Sequence, residues 1–361
     1  MIEMTRAYAP AADHGSSDPT TVLPTTPKPH GPRKRRQYEG IVPTVTDRVC
    51  QQAAKLVLEP LFEADFLPCS FGFRPKRSAT DAMEALRVGI IAGNQFVFEA
   101  DIENFFGSID HERLLSLVGE RVSDRRVLKL LRQWLQPGVL VDGVVTEPAT
   151  GTPQGVISPL LANIYLHAFD RAWQERGVGQ VVRYANQEQA EEAQRRATAI
   201  LGDLGLSLHP DKTRVVDLRE GKEGFDFLGC YFGARMSDKL WEQKRVVRYY
   251  LHRWPSVRSM KRARVRVKAL TSRSQVGQQL EDVIARLNLF LRGWDNYFRT
   301  GNAATKFSSM DSYVWWRLQR LLIKKRVRNL RAAHVDNWTR TWFHDQGLYR
   351  LMGTIRYPKA A

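Results

Sequence analysis

Phe96-Val97-Phe98-Glu99-Ala100-Asp101-Ile102 reads as a short β run that ends in an acid, with Phe105-Phe106 close behind. An acid delivered by a strand beside a bulky aromatic pair suits a metal site next to a sugar pocket. Nucleotidyl transfer needs two or three carboxylates gathered on adjacent strands. They hold two Mg²⁺ ions that activate a 3′-hydroxyl and neutralise a pyrophosphate leaving group. Taken alone, a strand-end Asp is more often a turn residue, so the surrounding elements have to decide.

Upstream, Thr46-Asp47 predicts the cap of a helix with Val49, Ala53, Leu56, Val57 and Leu61 at helical spacing. Pro68 and Gly72 mark a loop, and Ser78 opens a second amphipathic helix from Ala79 to Arg87 or beyond. Downstream, residues 111–136 read as helical, and residues 139–145 as a hairpin around Asp142-Gly143. A buried helix is expected over 159–173, a strand over 181–184 and a periodic helix over 187–204. Strands follow at 206–208, 213–218 and 225–232. Residues 241–275 read as a basic connector, and the pattern is helical from Val276 onward.

Between these elements lies Gly151-Thr152-Pro153-Gln154-Gly155, then Ser158-Pro159-Leu160-Leu161-Ala162-Asn163-Ile164-Tyr165. Two glycines and a proline make a tight backbone that leads into a helix. Such a loop can approach a base pair closely, with the Gln154 amide free to hydrogen-bond it. Loop-to-helix punctuation explains the Gly and Pro but not the whole string.

Composition sets the class. The chain has 361 residues, of which 43% are hydrophobic and 26% charged, so most of it should bury a core. Lys+Arg number 55 against 38 Asp+Glu, a net charge of +17. The excess is not uniform: residues 231–361 hold 28 Lys+Arg and 8 Asp+Glu. A near-neutral domain joined to a strongly basic one points to nucleic acid as partner. No window approaches the ~18 uninterrupted apolar residues of a membrane span, and the start lacks a signal-peptide layout. Cys50, Cys69 and Cys230 are too few and too scattered for a disulfide framework or a Cys-rich zinc module. A reduced, cytoplasmic protein with no membrane partner is expected. Residues 1–36, rich in Pro, Thr and Ser and ending in a basic cluster, read as a disordered tail.

Several strings together resemble a bacterial group II intron-encoded reverse transcriptase/maturase, over residues 41–358. They are Ile41-Val42-Pro43-Thr44-Val45 with Asp47-Arg48; Phe71-Gly72-Phe73-Arg74-Pro75 with Arg77-Ser78; and Ala100-Asp101-Ile102 with Phe105-Phe106. The Gly151 to Tyr165 string follows, then Leu208-His209-Pro210-Asp211-Lys212-Thr213, Phe227-Leu228-Gly229, and Leu291-Arg292-Gly293-Trp294 with Asn296-Tyr297-Phe298. The resemblance implies an α+β fold: a right-hand polymerase with fingers and palm, an antiparallel sheet with packed helices, then an α-helical thumb/maturase domain. The implied domains are fingers/palm over 37–235, a basic connector or thumb over 236–275, and a maturase-specific domain over 276–361. It implies Asp101 as the first catalytic and metal-binding acid, Ile102 as its neighbour at the Mg²⁺ site, and Phe106 at the sugar gate. Gln154 and Gly155 would face the nascent pair, and Lys212 would serve the leaving pyrophosphate. Phe227-Leu228-Gly229 would form the primer grip. By charge and position, Arg74 and Arg77 are candidate phosphate or template contacts.

The pattern breaks at one place. The family's other acids lie in a Tyr-Ala-Asp-Asp hairpin, whereas this chain reads Arg183-Tyr184-Ala185-Asn186-Gln187. Both acids are absent, and the returning strand, about ten residues with its turn by ordinary strand length, is deleted. Asn is a poor Mg²⁺ ligand beside Asp, and Glu188 is expected on the following helix, facing solvent. The loss should leave one strand unpaired and an apolar face partly uncovered. Gly107 stands where relatives usually carry an acid, and the first fingers segments have no counterpart in residues 1–36. Polymerase activity is therefore in doubt, and an inactive RNA-binding splicing factor or a degenerate remnant is the alternative.

In the basic third, cations and aromatics interleave on helices. Arg286, Arg292, Arg317, Arg320, Lys324, Lys325, Arg326 and Arg328 are the candidate RNA contacts. Trp294, Tyr297, Phe298, Tyr313 and Trp316 could stack on unpaired bases, but core is the favoured reading for most of them. The implied partners are group II intron RNA, an RNA template and a DNA primer or target, with the chain a monomer or homodimer.

Overall fold

The computed structural model describes residues 44–136, 139–141, 144–146, 150–152, 155–176, 183–325 and 337–357. The expected 1–36 tail, Gln154, Arg326, Arg328 and the hairpin tip Asp142-Gly143 lie outside them. The elements begin with α1 (Val45–Glu63), α2 (Ala79–Ile91), β1 (Phe96–Glu99), α3 (Phe105–Ser108), α4 (His111–Gly119) and α5 (Arg125–Leu135). Next come β2 (Val139–Val141), β3 (Val144–Thr146), α6 (Ser158–Arg176), β4 (Arg183–Tyr184), α7 (Gln187–Asp203), β5 (Arg214–Asp217) and β6 (Gly224–Phe227). The chain continues through β7 (Cys230–Met236), α8 (Asp238–Lys244), β8 (Tyr249–Pro255), α9 (Val257–Leu270), α10 (Leu280–Phe298), α11 (Ala304–Lys325) and α12 (Arg340–Asp345). They fall into two compact units. The first takes residues up to 77, 100–181 and 192–213, and the second takes 78–99, 182–191 and 214 onward.

The first unit is mostly helical. Its α1 starts two residues before the predicted cap, because Asp47 is the reciprocal partner of Thr44. The Thr44 hydroxyl accepts the Asp47 N–H at 3.1 Å, and the Asp47 carboxylate accepts the Thr44 N–H at 3.0 Å. Helix α6 is buried on most sides, with Leu160, Leu161, Ile164, Tyr165, Phe169 and Trp173 all in the core. That distribution marks a central helix, and α1 and α4 pack on it. The single helical stretch predicted over 111–136 is two helices. Asp124 accepts the Arg126 N–H at 2.8 Å and starts α5 afresh. Strands β2 and β3 pair as the predicted hairpin, from Val139 opposite Thr146 to Val141 opposite Val144.

The second unit holds two three-stranded antiparallel sheets, ordered β4-β1-β5 and β6-β7-β8. In the first, Phe96 and Val97 face Tyr184 and Arg183 on one side, and Phe96 to Glu99 face Asp217 to Arg214 on the other. The expected unpaired strand is therefore not seen at β1: two residues of β4 suffice to keep it central. Nor is its apolar surface open, since Phe96, Val97 and Phe98 are all buried.

The strand predicted over 225–232 is a hairpin. Leu228 and Gly229 turn it with φ of 47° and 74°, the doubly left-handed turn whose twist suits tightly paired strands. The connector expected over 241–275 is also structured: β8 pairs with β7 from Met236 opposite Tyr249 to Cys230 opposite Pro255. A domain boundary between 235 and 236 would thus cut β7. Helices α10 and α11 pack on α9. The chain after α12 is tied down by buried Asp295, which accepts from the Tyr349 hydroxyl at 2.8 Å and from the Thr354 hydroxyl. Asp311 accepts the Leu351 and Met352 N–H groups at 3.1 and 2.9 Å.

Candidate functional site

Asp101 follows β1 and enters the first unit with its backbone already engaged. Its carbonyl accepts the His209 N–H at 2.7 Å, Glu103 N–H donates to Ser207 at 2.9 Å, and Ile102 bridges Leu208. The strand predicted at 206–208 reduces to this bridge. It places the turn Pro210–Lys212 against the acid, and the Lys212 ammonium donates to Asp101 Oδ2 at 2.5 Å. The resemblance gave these two residues separate tasks; here they neutralise each other. Ile102 itself is buried.

The glycine loop is sewn to the same corner. Thr152 N–H donates to the Phe106 carbonyl at 2.7 Å and Gly151 N–H to Ile109 at 2.7 Å. The His111 Nε2–H donates to the Gly151 carbonyl at 2.5 Å. Gly151 has φ of 102°, and a Cβ there would sit 3.4 Å from both Gly107 Cα and the Phe106 carbonyl. A Cβ on Gly107 would displace the exposed Asn104 side chain. Phe106 is half-buried, edge-on to Phe105 at 5.4 Å. Beyond the undescribed Gln154, buried Gln51 of α1 accepts the Val156 N–H at 3.0 Å. A Cβ on Gly155 would collide with that same amide oxygen. Gln51, Thr152 and His111 position the loop; Thr152 lies in the glycine string itself, while Gln51 and His111 lie outside every quoted motif.

In the second unit, Asn186 stands at the place of the missing acids and does a different job. Its Oδ1 accepts the Gln189 N–H at 2.9 Å, which caps the first turn of α7, and Gln189 Oε1 reaches back to the Ala185 N–H at 3.4 Å. An Asn followed by Gln three residues later was a readable helix-start signal. Glu188 lies on that first turn, exposed as expected. Glu99 is spoken for by Arg214, whose Nε donates at 2.9 Å, while burial pushes the Glu99 carboxyl upward against that pull. Among the described residues no three His, Cys, Asp or Glu side chains gather to hold a metal ion. The donors around Asp101, one carboxylate already paired with an ammonium, do not fit a two-ion Mg²⁺ centre.

The turn at Leu228-Gly229 is braced from the helices that follow. The Tyr297 hydroxyl donates to the Leu228 carbonyl at 2.8 Å. The Ser259 hydroxyl and the Ser256 N–H donate to the Gly229 carbonyl at 2.7 and 3.0 Å. A non-glycine residue held at positive φ stores strain that its surroundings must offset.

The reverse transcriptase (RNA-dependent DNA polymerase) family matches residues 26–232, more than half the chain. The chain belongs to the reverse transcriptase family. The group II intron maturase-specific domain matches residues 260–339 of this reverse transcriptase relative. Over 131 residues it is 38% identical to the group II intron-encoded protein LtrA of Lactococcus lactis subsp. cremoris, covering 36% of this chain and 22% of LtrA. Over 140 residues it is 36% identical to the protein YkfC of Escherichia coli strain K12, covering 37% of each. The matched stretch thus spans between about a fifth and two fifths of these curated relatives. The structure of telomerase from Candida albicans with a fragment of telomeric RNA aligns at TM-score 0.41 and 13% identity, over 81% of this chain and 57% of that one.

Two arginines that charge and position offered as ligand contacts, Arg74 and Arg317, spend their guanidinium groups on contacts within the protein. Buried Arg74 clasps Glu63 through Nε and Nη2 at 3.0 and 2.7 Å and donates from Nη1 to the Leu67 and Ser70 carbonyls. Such a group ties the 67–73 loop to the end of α1 and has no face left for phosphate. Arg317 of α11 donates to the Thr271 hydroxyl and carbonyl at 3.0 and 2.9 Å and to the Lys268 carbonyl at 3.2 Å. Those are the orphan acceptors at the end of α9. Arg77 lies over the Phe71 ring at 5.3 Å.

Of the remaining candidates, Arg286 donates to Asp282 and Gln278, Lys325 to the Gln278 carbonyl, and exposed Arg292 lies 4.6 Å from the Tyr349 ring centroid. Arg320 and Lys324 are exposed. Trp294 and Phe298 are core, while Trp316 is 42% exposed under Arg320.

Among the described residues no helix is long and apolar enough to cross a membrane.

Proposed function

We propose that this chain acts as an RNA-binding, maturase-type splicing factor for a group II intron and does not extend primers. The observation that carries the reading is at the family's second-acid position, where Asn186 spends its side chain on capping α7. Asp101 is left as a lone carboxylate held by Lys212 at 2.5 Å. Two-ion nucleotidyl transfer requires converging carboxylates, and a neutral cap plus a neutralised acid does not supply them. The RNA side is supported by charge. Helix α9 carries Arg258, Lys261, Arg262, Arg264, Arg266 and Lys268 without a single acid, and residues 231–361 hold 28 Lys+Arg against 8 Asp+Glu. Arg320 and Lys324 add exposed cations on α11, and Arg326 and Arg328 continue the run in sequence.

Primer extension on an RNA template with Mg²⁺ and deoxynucleotides tests the first half, with Asp101→Ala beside the unsubstituted chain. No synthesis is expected from either. Synthesis that Asp101→Ala abolishes would overturn the reading, because other acids would then have rebuilt the site. Binding of structured group II intron RNA tests the second half, and log affinity should fall steeply with log salt.

A further inference from the structure

Helices α9 and α11 flank a groove of about 560 Å³, within the size range of about 300–1,000 Å³ typical of ligand sites. Four cations and no acid line it. Lys261 and Lys268 come from α9 and Lys306 from α11, and the fourth, Arg264, crosses between the helices. Its Nη2 donates to the Ser309 hydroxyl at 3.1 Å, and its guanidinium lies 5.8 Å from the centroid of the Tyr313 ring. Apolar residues of α9, Met260 and Val265 among them, also line it. The stacking surface extends along α11: Tyr313 lies 6.1 Å from Trp316, and Arg320 lies 4.7 Å over Trp316. Arg264, Tyr313, Trp316 and Arg320 thus form a ladder of two adjoining rings between two planar cations, beside a row of lysines.

We infer that this groove seats an unpaired RNA strand, with bases stacked on Arg264 and Tyr313 and flanking phosphates held by Lys261, Lys268 and Lys306. The inference rests on the RNA-binding reading above and adds a place and a strandedness to it. Charge complementarity selects a polyanion. The ladder selects among polyanions. A duplex presents phosphates outward and keeps its bases stacked inside, so it satisfies lysines but leaves planar faces unused. An unpaired strand turns its bases onto aromatic and guanidinium planes. An acidic protein segment would use the lysines and find no partner for the rings.

The test is fluorescence anisotropy on the full chain, with an unstructured single-stranded RNA and a duplex of the same sequence, titrated with salt. The triple variant Lys261→Gln, Lys268→Gln, Lys306→Gln should flatten the single-strand log–log salt slope by about 2, from ~0.7 per phosphate. Tyr313→Leu should weaken single-strand binding about tenfold, and Tyr313→Phe, which keeps the ring, should bind as the unsubstituted chain does. Arg264→Lys keeps the charge but loses the plane, and should weaken it several-fold. Thermal melts confirm folding. If Tyr313→Leu unfolds, the lysine and Arg264→Lys variants, changed at the groove rim, still decide.

Unchanged single-strand binding across these variants, with intron RNA still bound, would overturn the groove and leave the RNA-binding reading standing. Equal losses for single strand, duplex and an acidic peptide would also overturn it, since charge alone would then explain the site. Failure of the unsubstituted chain to bind any RNA would overturn both readings.

Discussion

Arg317→Ala separates a structural cation from an RNA-binding one. The guanidinium donates to the Lys268 and Thr271 carbonyls and to the Thr271 hydroxyl, at 2.9 to 3.2 Å, and Thr271 is the C-cap of α9. A cation at a helix C-terminus also meets the negative end of the macrodipole. Hydrogen bonds to charged groups contribute about 1.5–3 kcal/mol. Thr271 is buried, so its hydroxyl and carbonyl are not rewetted for free when the arginine goes. A loss of about 2–3 kcal/mol is expected. At ~2–4 °C per kcal/mol for a folding unit of this size, the melting temperature should drop by about 5–10 °C. RNA affinity measured well below the melt should keep its salt slope. Arg320→Ala, on the same helix but exposed, should do the reverse: a stability change within about 0.5 kcal/mol and a shallower slope. The assay pairs differential scanning fluorimetry with anisotropy at three or more salt concentrations. An unchanged melt for Arg317→Ala with a slope shallower by about 0.7–0.9 would refute the bracing argument and return Arg317 to the RNA surface.

Four further outcomes follow from particular contacts. Asn186→Ala should cost about 1 kcal/mol by removing the α7 cap. Asn186→Asp should melt like the unsubstituted chain and still give no primer extension, because Asp101 stays paired with Lys212. Burial pushes the Asp170 carboxyl on α6 up to about 6, against the pull of Arg74. A carboxyl that titrates higher when folded supports folding fully below the unfolded value of 3.8 and withdraws that support as pH rises through about 6. Asp170→Asn should therefore raise the melting temperature at pH 8 and leave it unchanged near pH 4, as a pH series of melts will show. Gly155→Ala should lose about 1–3 kcal/mol through overpacking, since the added methyl meets the Gln51 amide oxygen, and chemical denaturation measures it.

What was legible in the sequence and what was not divides along physical lines. Local signals carried far: Ser78 caps α2, the apolar run of α6 is a central helix, and the 187–204 periodicity is α7, ending at Asp203. Residue types that mean two things are decided at the level of tertiary partners. Arg74 and Arg317 are cations, and a cation in a basic protein invites a phosphate. Their ionic or capping partners, Glu63 and Thr271, lie 11 and 46 residues away, outside the helical spacings a sequence pattern reads. The 225–232 run hid its turn because Leu228 occupies a left-handed position that usually signals itself with Asn or Gly. The connector hid β8 because a strand rich in His, Arg and Trp shows no apolar alternation; its pairing with β7 decides it.

The departure from the family's Tyr-Ala-Asp-Asp string leaves the described sheet paired, and the contacts say why. A strand can be removed cheaply only if its neighbour keeps partners and the next helix finds a start. Strand β1 retains β5 along its whole length and two residues of β4. Helix α7 finds its start in the residue that replaced the acid, since Asn is as good an N-cap as Asp while being a far poorer Mg²⁺ ligand. An Asn at this position therefore keeps the cap while offering Mg²⁺ a poorer ligand than Asp would. The second consequence lies in Lys212. With an opposing Mg²⁺ pair it would serve an anionic leaving group, but beside a lone Asp101 it becomes that acid's counter-ion. The basic face of α9 and α11 includes neither residue, so the proposed RNA binding does not require the polymerase chemistry.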